Sequence, residues 1–245
     1  MPAFFISSSQ IRNQEVTLTG ELCHHLRASL RVKPGEILRL TNEHRQRYQV
    51  RVSAVTPHTL TADILECRPG PIDRAPRVIL AQALLKGDHM DWVVQKASEL
   101  GVHTILPLIA RHGVVRPQPT RVAAQVARWQ RIATEAAQQS EQWQPPQISE
   151  PMESRHVLSG HAAPCVLLLA ERQNSPGLAA APLPTLATDT ITLLVGPEGG
   201  WAEEELSQAI EGTCIAVSLG EHILRADTAA VTALSIVQSR LGRLG

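Results

Sequence analysis

The stretch ITLLVGPEGGW, residues 191–201, joins an apolar run to a glycine-rich turn. ITLLV is almost entirely apolar, which is typical of a strand buried on both faces of a parallel sheet. The segment behind the turn, AEEELSQAIE, has the spacing of polar and apolar residues that indicates a helix. Ligands of parallel α/β domains bind beyond the carboxyl ends of the strands. The stretch therefore predicts an α/β fold with a functional turn at residues 196–200.

The same alternation of strand and helix extends over residues 74–245. Further strands are predicted at RVILAQALL, VHTILPLIA, CVLLLA and CIAVSL, and helices at DHMDWVVQKASEL, TRVAAQVARWQRIATEAAQQ and ADTAAVTALSIVQSRLG. Strands that alternate with helices and are apolar on both faces favour a parallel sheet covered by helices. The prolines and glycine of RPGPIDRAP, residues 68–76, indicate a linker in front of this domain.

Residues 1–70 have a different pattern. Short period-two runs, such as ILRLTN and YQVRVSAV, alternate with turn signals and predict a small β-rich module. Residues 22–51 hold seven Lys and Arg against two Asp and Glu, although the whole chain has 23 of each kind. A local basic surface on a neutral protein suits a polyanion, and an ordinary solvated face fits the same charge count.

Several protein classes are disfavoured by composition. No apolar run approaches the roughly 18 residues of a membrane helix, and the first residues lack the pattern of a secretory signal. The cysteines, Cys23, Cys67, Cys165 and Cys214, are scattered without a C-x-x-C pair. We therefore expect a cytoplasmic protein with reduced, mostly buried thiols and no metal site.

The glycine turn lacks the residues of a phosphate loop. A Walker loop needs a lysine and a hydroxyl residue behind its glycines, whereas this turn contains Glu198. The dinucleotide pattern G-x-G-x-x-G is also absent, so a nucleotide hydrolase is disfavoured. A carboxylate among backbone amides suits a ligand with positive charge or hydroxyl groups. Glu203, Glu204 and Glu205 are expected to complement the dipole of the following helix.

Three loops of the C-terminal third follow predicted strands. CVLLLA precedes Glu171 and Arg172, ITLLV precedes the turn at 196–200, and CIAVSL precedes GEHILR at 220–225. Since the carboxyl ends of parallel strands meet at one edge, we expect these loops to form one pocket. The segment ARHGVVR also follows a strand, and its residues fit either a substrate role or a solvated loop.

Four motifs together resemble the RsmE family of SPOUT-superfamily methyltransferases. They are KGDHMDWVVQKASELGV (86–102), RWQRIATEAAQQS (128–140), LLVGPEGGW with EEEL behind it, and SLGEHILRADTAAV (218–231). The resemblance implies methylation of N3 of uracil-1498 in 16S ribosomal RNA with S-adenosylmethionine. It also implies an α/β fold with a SPOUT-type parallel sheet and a C-terminal trefoil knot at 74–245, and a small β-barrel-like, PUA-like domain at 1–70. Members pair as homodimers through the knot.

The resemblance assigns roles to individual residues. Arg225 is the candidate for stabilising the uracil anion, and Glu198 is either a base or a hydrogen-bond orienter. The basic module would grip RNA phosphates, for which the candidates are Arg27, Arg31, Arg45 and Arg47. The implied cofactor-binding residues are Leu169, Ala170, Glu171, Leu194, Gly196, Pro197, Glu198, Gly199, Leu219, Gly220, Ile223, Leu224, Arg225 and Thr228.

The last motif departs from the family pattern LGPRILRTETA. Glu221, His222, Ala226 and Asp227 stand where members have proline, arginine, threonine and glutamate. Ala202 stands where serine is common, which removes an N-cap at a typical cost of about 1 kcal/mol. Two further functions fit the sequence: a SPOUT methyltransferase of another RNA position, and a non-catalytic RNA-binding factor of ribosome assembly.

Overall fold

The computed structural model describes residues 2–72, 74–159, 165–170 and 175–244. The chain divides into two compact units, one formed by 1–72 with 137–144 and the other by 73–136 with 145–245. Within the described ranges, no helix combines the length and the apolarity needed to cross a bilayer.

The first unit is built on an open β-sheet with a short helix. Its described elements are β1 (Ala3–Ile6), β2 (Ile11–Arg12), β3 (Glu15–Leu18), α1 (Gly20–His24), β4 (Ile37–Asn42), β5 (Gln46–Val55) and β6 (Leu60–Pro69). The strand order is β1-β4-β5-β6-β3-β2, antiparallel except for the parallel pair of β1 and β4. A π-helical turn, His25–Ser29, follows α1 directly.

The period-two pattern of this unit is explained by its core. Val50 and Val52 of β5 are buried, as are Leu38 of β4 and Leu60 of β6, whereas the alternating neighbours of the two valines are exposed. Successive side chains of a strand point to opposite faces, so one face of the sheet forms the core. Each such aliphatic side chain contributes roughly 2 kcal/mol by leaving water.

The second unit contains the predicted parallel sheet. Its described elements are β7 (Arg77–Ala83), α2 (His89–Glu99), β8 (Thr104–Ile109), α3 (Val122–Gln139, of which 122–136 lie in this unit), β9 (Gln147–Ile148), β10 (Met152–Glu153), α4 (Arg155–Leu158), β11 (Cys165–Leu169), β12 (Thr190–Val195), α5 (Glu203–Glu211), β13 (Ile215–Val217) and α6 (Ala226–Arg240). The strand order is β10-β8-β7-β12-β11-β13, with β9 paired to β8, and every pair is parallel. The predicted α/β class is confirmed.

Both faces of this sheet are covered, which accounts for the continuous apolar runs of its strands. Leu167 and Leu193 face a core that includes residues of α2 and α6. Their neighbours Leu168 and Leu194 face the opposite core, which includes residues of α4 and α5. A strand in such a sheet buries every side chain, so period-two alternation is lost.

The position of β12 decides where a ligand binds. β12 lies between β7 and β11, although these strands are distant in the chain. Since all strands run in the same direction, the loops behind β7, β11, β12 and β13 emerge at one edge of the sheet. The loops predicted to form one pocket therefore start side by side.

The cysteines are free, as expected from their spacing. Cys23 and Cys165 are buried and Cys214 is half-buried, whereas Cys67 is exposed. Burial raises the pKa of the Cys165 and Cys214 thiols, which keeps both in the uncharged form at neutral pH.

Candidate active site

Hydrogen bonds join the three loops at the carboxyl edge of the sheet. The indole Nε1 of Trp201, behind β12, donates to the backbone oxygen of Leu169 at the end of β11 at 3.1 Å. The backbone N–H of Ala170 donates to the oxygen of Val217 in β13, also at 3.1 Å. The loops behind β11, β12 and β13 therefore form one continuous surface.

Two glycines in these loops are required by geometry. A Cβ on Gly196 would lie 3.1 Å from Nε1 of Trp201, so a side chain here would displace the indole that reaches β11. Gly220 has a φ of +127°, a backbone conformation that residues with a side chain rarely adopt. Since neither glycine has a side chain, backbone N–H and C=O groups are what these two positions offer to a ligand.

Two cavities adjoin at this edge. The loop cavity, of about 40 Å³, is lined by Leu169, Ala170, residues 217–224 and Ala229. The Arg225 cavity, of about 370 Å³, is lined by Leu85, His89, Pro197, Glu198, Ile223, Leu224, Arg225, Ala226 and Asp227. Ile223 and Leu224 line both cavities, so the two cavities lie side by side.

Most of the predicted cofactor residues lie around these two cavities. Leu169, Ala170, Leu219 and Gly220 line the loop cavity, and Pro197 lines the Arg225 cavity. Gly196 and Gly199 lie in the turn between β12 and α5. Leu194 is fully buried within β12, and the exposed Thr228 donates its backbone N–H to the carboxylate of Asp227 at 2.7 Å. Glu171 lies outside the described residues.

The two predicted catalytic residues line the Arg225 cavity. Glu198 is exposed, and its Oε1 accepts a hydrogen bond from the backbone N–H of Lys86 at 3.3 Å, which ties the β12 loop to the segment behind β7. Arg225 is the N-cap residue of α6, and its backbone oxygen accepts the N–H of Ala229 at 2.7 Å. No ion pair of its guanidinium is found within the described part of the chain, so the group is available to a ligand.

A pair of residues absent from the sequence-based prediction also borders this cavity. Nδ1 of His89, the first residue of α2, lies 2.6 Å from Oδ2 of Asp227 in α6. Burial alone raises the pKa of Asp227, but hydrogen bonds from His89 and Thr228 outweigh it, so the pKa lies below its ordinary value. The sequence around His89 does not reveal this contact, because its partner Asp227 lies 138 residues further along the chain.

All three glutamates of the run 203–205 lie in the first turn of α5, where they were expected to complement the helix dipole. Glu203 and Glu204 are exposed, whereas Glu205 is buried. Its carboxylate accepts hydrogen bonds from the backbone N–H of Arg111 and of Ala202, each at 3.0 Å, and from the hydroxyl of Ser154 at 2.6 Å. Glu205 therefore binds the backbone N–H of Ala202, the cap position where a serine is absent. Through the N–H of Arg111 it also fixes the loop behind β8.

The first unit has a basic cleft of its own. We call it the arginine cleft; it has a volume of about 360 Å³ and is lined by Ile37, Arg39, Arg47, Tyr48, Gln49, Glu66 and Arg68. Arg39 is paired with Glu141 at 2.6 Å, and both side chains remain partly exposed. Burial, followed by the neighbouring charge of Arg68, lowers the pKa of Arg47, which reflects the density of positive charge here.

Arg47 is held inside the unit rather than presented to solvent. Its side chain is buried, its guanidinium lies 3.9 Å from the ring centre of Trp143, and it donates to the backbone oxygens of Glu141 and Gln142 at 3.0 and 2.8 Å. These contacts satisfy the group within the fold and argue against the predicted role in gripping phosphates. The sequence does not show this, because the partners belong to a connection about 95 residues further on.

The other predicted RNA contacts differ in accessibility. Arg27 and Arg31 are exposed, at and just behind the turn that follows α1. Arg45 is half-buried, and its guanidinium donates to the backbone oxygen of Pro71 at 2.9 Å. Arg27 and Arg31 are therefore accessible to an RNA backbone. The guanidinium of Arg45 already makes a hydrogen bond within its own unit.

A parallel sheet with a loop-built pocket at its carboxyl edge, together with a β module that carries a basic cleft, suits an enzyme that acts on RNA. The family model described as RNA methyltransferase domain matches residues 73–238, and the model described as RNA methyltransferase PUA domain matches residues 18–65. The chain belongs to the ribosomal RNA small subunit methyltransferase E family.

Individual relatives support this membership over the whole chain. The Ribosomal RNA small subunit methyltransferase E of Synechocystis is 34% identical over 96% of this chain and 77% of its own length. That of Bacillus subtilis is 27% identical over 97% and 96%. The crystal structure of the Neisseria gonorrhoeae enzyme, bound to S-adenosyl methionine, superposes with a TM-score of 0.86 and 31% identity and covers 98% of both chains.

Proposed function

We propose that the chain methylates N3 of uracil-1498 in 16S ribosomal RNA, with S-adenosylmethionine as the methyl donor. The observation that carries this proposal is the pair of adjoining cavities, which three loops build at the sheet edge and which Arg225 borders. Family membership supports the small-subunit RNA as substrate, and the Neisseria relative supports the cofactor.

The residues around the cavities fit this cofactor. In this proposal, residues 217–224 offer backbone N–H and C=O groups to the adenine edge. The carboxylates of Glu198 and Asp227 border the larger cavity, where they favour a cationic ligand over a phosphate. When bound, the cofactor supplies an electrophilic methyl group, so the protein mainly has to align the uracil and stabilise its charge.

Arg225 serves in this proposal as the group that stabilises negative charge. When the N3 proton passes to solvent water, the negative charge is left on O2 and O4 of the uracil. A guanidinium free of ion pairs within the described residues is suited to stabilise that charge. The hydrogen bond from Lys86 to Glu198 supports an orienting role for this carboxylate in the β12 loop, rather than proton transfer.

The RNA backbone would be held by exposed cations of the first unit. Arg27 and Arg31 are exposed, and Arg39 and Arg68 line the arginine cleft. Contacts with phosphates fix register and orientation, whereas the target base is recognised in the catalytic pocket after it leaves its stack. Binding through such cations weakens steeply with salt.

Two further features belong to the proposal because the resemblance implies them: the C-terminal segment is knotted, and two copies pair through this region. A cytoplasmic location, expected from composition, also belongs to the proposal. Sedimentation equilibrium tests the pairing, and a mass of one chain at micromolar concentration would contradict it.

The proposed activity is tested by transfer of a labelled methyl group to small subunits from a strain that lacks the enzyme. The modified nucleoside is identified and then mapped. Label on N3 of uridine-1498 is the expected result. Label on another base or on a ribose 2′-hydroxyl would replace the proposed position, and binding of the cofactor without transfer would indicate a non-catalytic assembly factor.

A further inference from the structure

We propose that His89 and Asp227 form a positioning pair that holds the Arg225 segment against the start of α2, and that the pair requires a hydrogen-bond donor at position 89. The inference rests on the proposed function, because it assigns these residues a role at the same site. Neither residue is a catalytic residue in this proposal: both act through Arg225 and the loop in front of it.

The contacts of Asp227 show a side chain fixed on both of its oxygens. Oδ2 lies 2.6 Å from Nδ1 of His89, and Oδ1 accepts the backbone N–H of Thr228 at 2.7 Å and its hydroxyl at 3.3 Å. The carboxylate side chain is only 16% exposed, whereas the imidazole is 52% exposed. A carboxylate with this many donors is held in one orientation and in turn orients the imidazole.

The start of α2 also holds the other wall of the cavity. The backbone N–H of Lys86 donates to Glu198, and the N–H of His89 donates to the oxygen of Lys86 at 3.3 Å. One turn of chain therefore anchors the β12 loop through Glu198 and the start of α6 through Asp227. Behind this turn, α2 and α6 share one core, which includes Met90 and Ala229.

This anchor reaches the reactive part of the site through chain connectivity. Arg225 is the N-cap of α6 and lies two residues before Asp227, and Ile223 and Leu224 line both cavities. Movement of the first turn of α6 would shift the guanidinium and both cavity walls together. Loss of the pair should therefore affect turnover and cofactor affinity at once.

The electrostatic surroundings favour a carboxylate as the acceptor in this pair. Asp227 lies in the first turn of α6, where the helix dipole stabilises a negative charge. The lowered pKa of Asp227 keeps that carboxylate ionised at neutral pH. The other charged side chains around the cavity are Glu198 and Arg225, and those near His89 on its own segment are Lys86, Asp88 and Asp91, of which Asp91 is paired with Arg128.

The same geometry fits a rival role, in which Asp227 orients His89 as the acceptor of the uracil N3 proton. The two roles differ in what they require at position 89. A positioning donor is replaceable by arginine, which carries several N–H donors and does not accept a proton. A proton acceptor is not replaceable in this way.

The test compares His89→Arg and His89→Ala with the wild type, with His156→Ala as the control for loss of an exposed histidine elsewhere in the second unit. Cofactor affinity is measured by calorimetry, and kcat and KM by methyl transfer to small subunits. We expect His89→Ala to lower kcat and to weaken cofactor binding, each about tenfold, and His89→Arg to restore both to within about threefold. Asp227→Asn should match His89→Ala and add nothing to it in the double variant.

Two outcomes would overturn the proposal: an inactive His89→Arg variant, or an Asp227→Asn variant that keeps the turnover and the cofactor affinity of the wild type. Absence of methyl transfer in the wild type would count against the proposed function alone, because cofactor affinity in the variants still tests the pair.

Discussion

The cavities at the sheet edge and the arginine cleft of the first unit are opposite kinds of binding surface. The loop cavity is lined mostly by small and aliphatic residues at and behind the strand ends, although Ser218, Glu221 and His222 also line it. The arginine cleft is lined by long cationic side chains on the sheet formed by β4, β5 and β6, together with uncharged residues and Glu66. In the proposed function, the first surface selects a ligand by shape and backbone hydrogen bonds, the second by charge.

This difference determines what each surface is sensitive to. A site made of backbone changes when a loop moves, so substitutions act on it through packing. A site made of exposed cations changes with ionic strength and tolerates single substitutions. The following predictions test this contrast, in order of decreasing effect.

Arg225→Ala should have the largest effect, because it removes the one charge proposed to act on the reacting base. We expect kcat to fall by roughly 10²–10³-fold, the usual loss when a group that stabilises a transition-state anion is removed. Cofactor affinity, set by the backbone of the loops, should stay within about tenfold. Turnover near the wild-type value would exclude Arg225 from the mechanism. It would mean that the cavity only aligns the cofactor and the uracil.

Glu205→Ala should have the next largest effect, on stability. It leaves the N–H groups of Arg111 and Ala202 without a partner and creates a void, for which we expect a loss of about 3 kcal/mol in the free energy of unfolding. Urea denaturation measures this value. Glu204→Ala, at an exposed position in the same run, is the control and should change stability by less than about 0.5 kcal/mol. Equal effects of the two variants would contradict the role of burial.

Gly196→Ala tests whether packing alone controls the loop-built site. The added methyl group would meet the indole of Trp201 at about 3.1 Å and disturb its hydrogen bond to Leu169. We expect cofactor affinity to fall about tenfold, measured by calorimetry. Gly177→Ala, where the same added group meets no atom within 4 Å, should bind normally.

Arg68→Ala should have the smallest effect, and this effect should appear in the salt dependence of RNA binding. Removal of one phosphate contact should weaken RNA binding only a few-fold at physiological salt and lower the slope of log affinity against log salt by about 1. Arg12→Ala, an exposed position outside the cleft, is the control. A slope that is unchanged in Arg68→Ala would show that the arginine cleft does not hold the RNA backbone.

Much of the fold follows from the sequence because the signals are local. The apolar runs ITLLV and CVLLLA predicted β12 and β11, and the periodicity of DHMDWVVQKASEL predicted α2. The carboxyl ends of parallel strands then indicated which loops share a pocket. The insertion of β12 between β7 and β11 did not follow, because strand order depends on contacts between distant segments.

The residues that sequence reasoning missed or misplaced share one property: their partners are far away in the chain. Glu205 stands in a run of three glutamates, and only the positions of Arg111 and Ser154 distinguish it from its neighbours. Arg47 belongs to a basic segment, but its side chain is satisfied by backbone oxygens of residues 141 and 142. Composition and periodicity report neither kind of contact.

The place of β12 in the sheet also constrains how the chain can fold as it is made. Both neighbours of β11 in the sheet, β12 and β13, are synthesised after it. The apolar strand CVLLL therefore leaves the ribosome before either of the strands with which it pairs. It can enter the sheet only after residue 195, the last residue of β12, has been synthesised. Such late, long-range pairing slows folding and leaves an aggregation-prone strand exposed for that interval. The parallel sheet of the second unit therefore cannot assemble until the ribosome has synthesised nearly all of its strands.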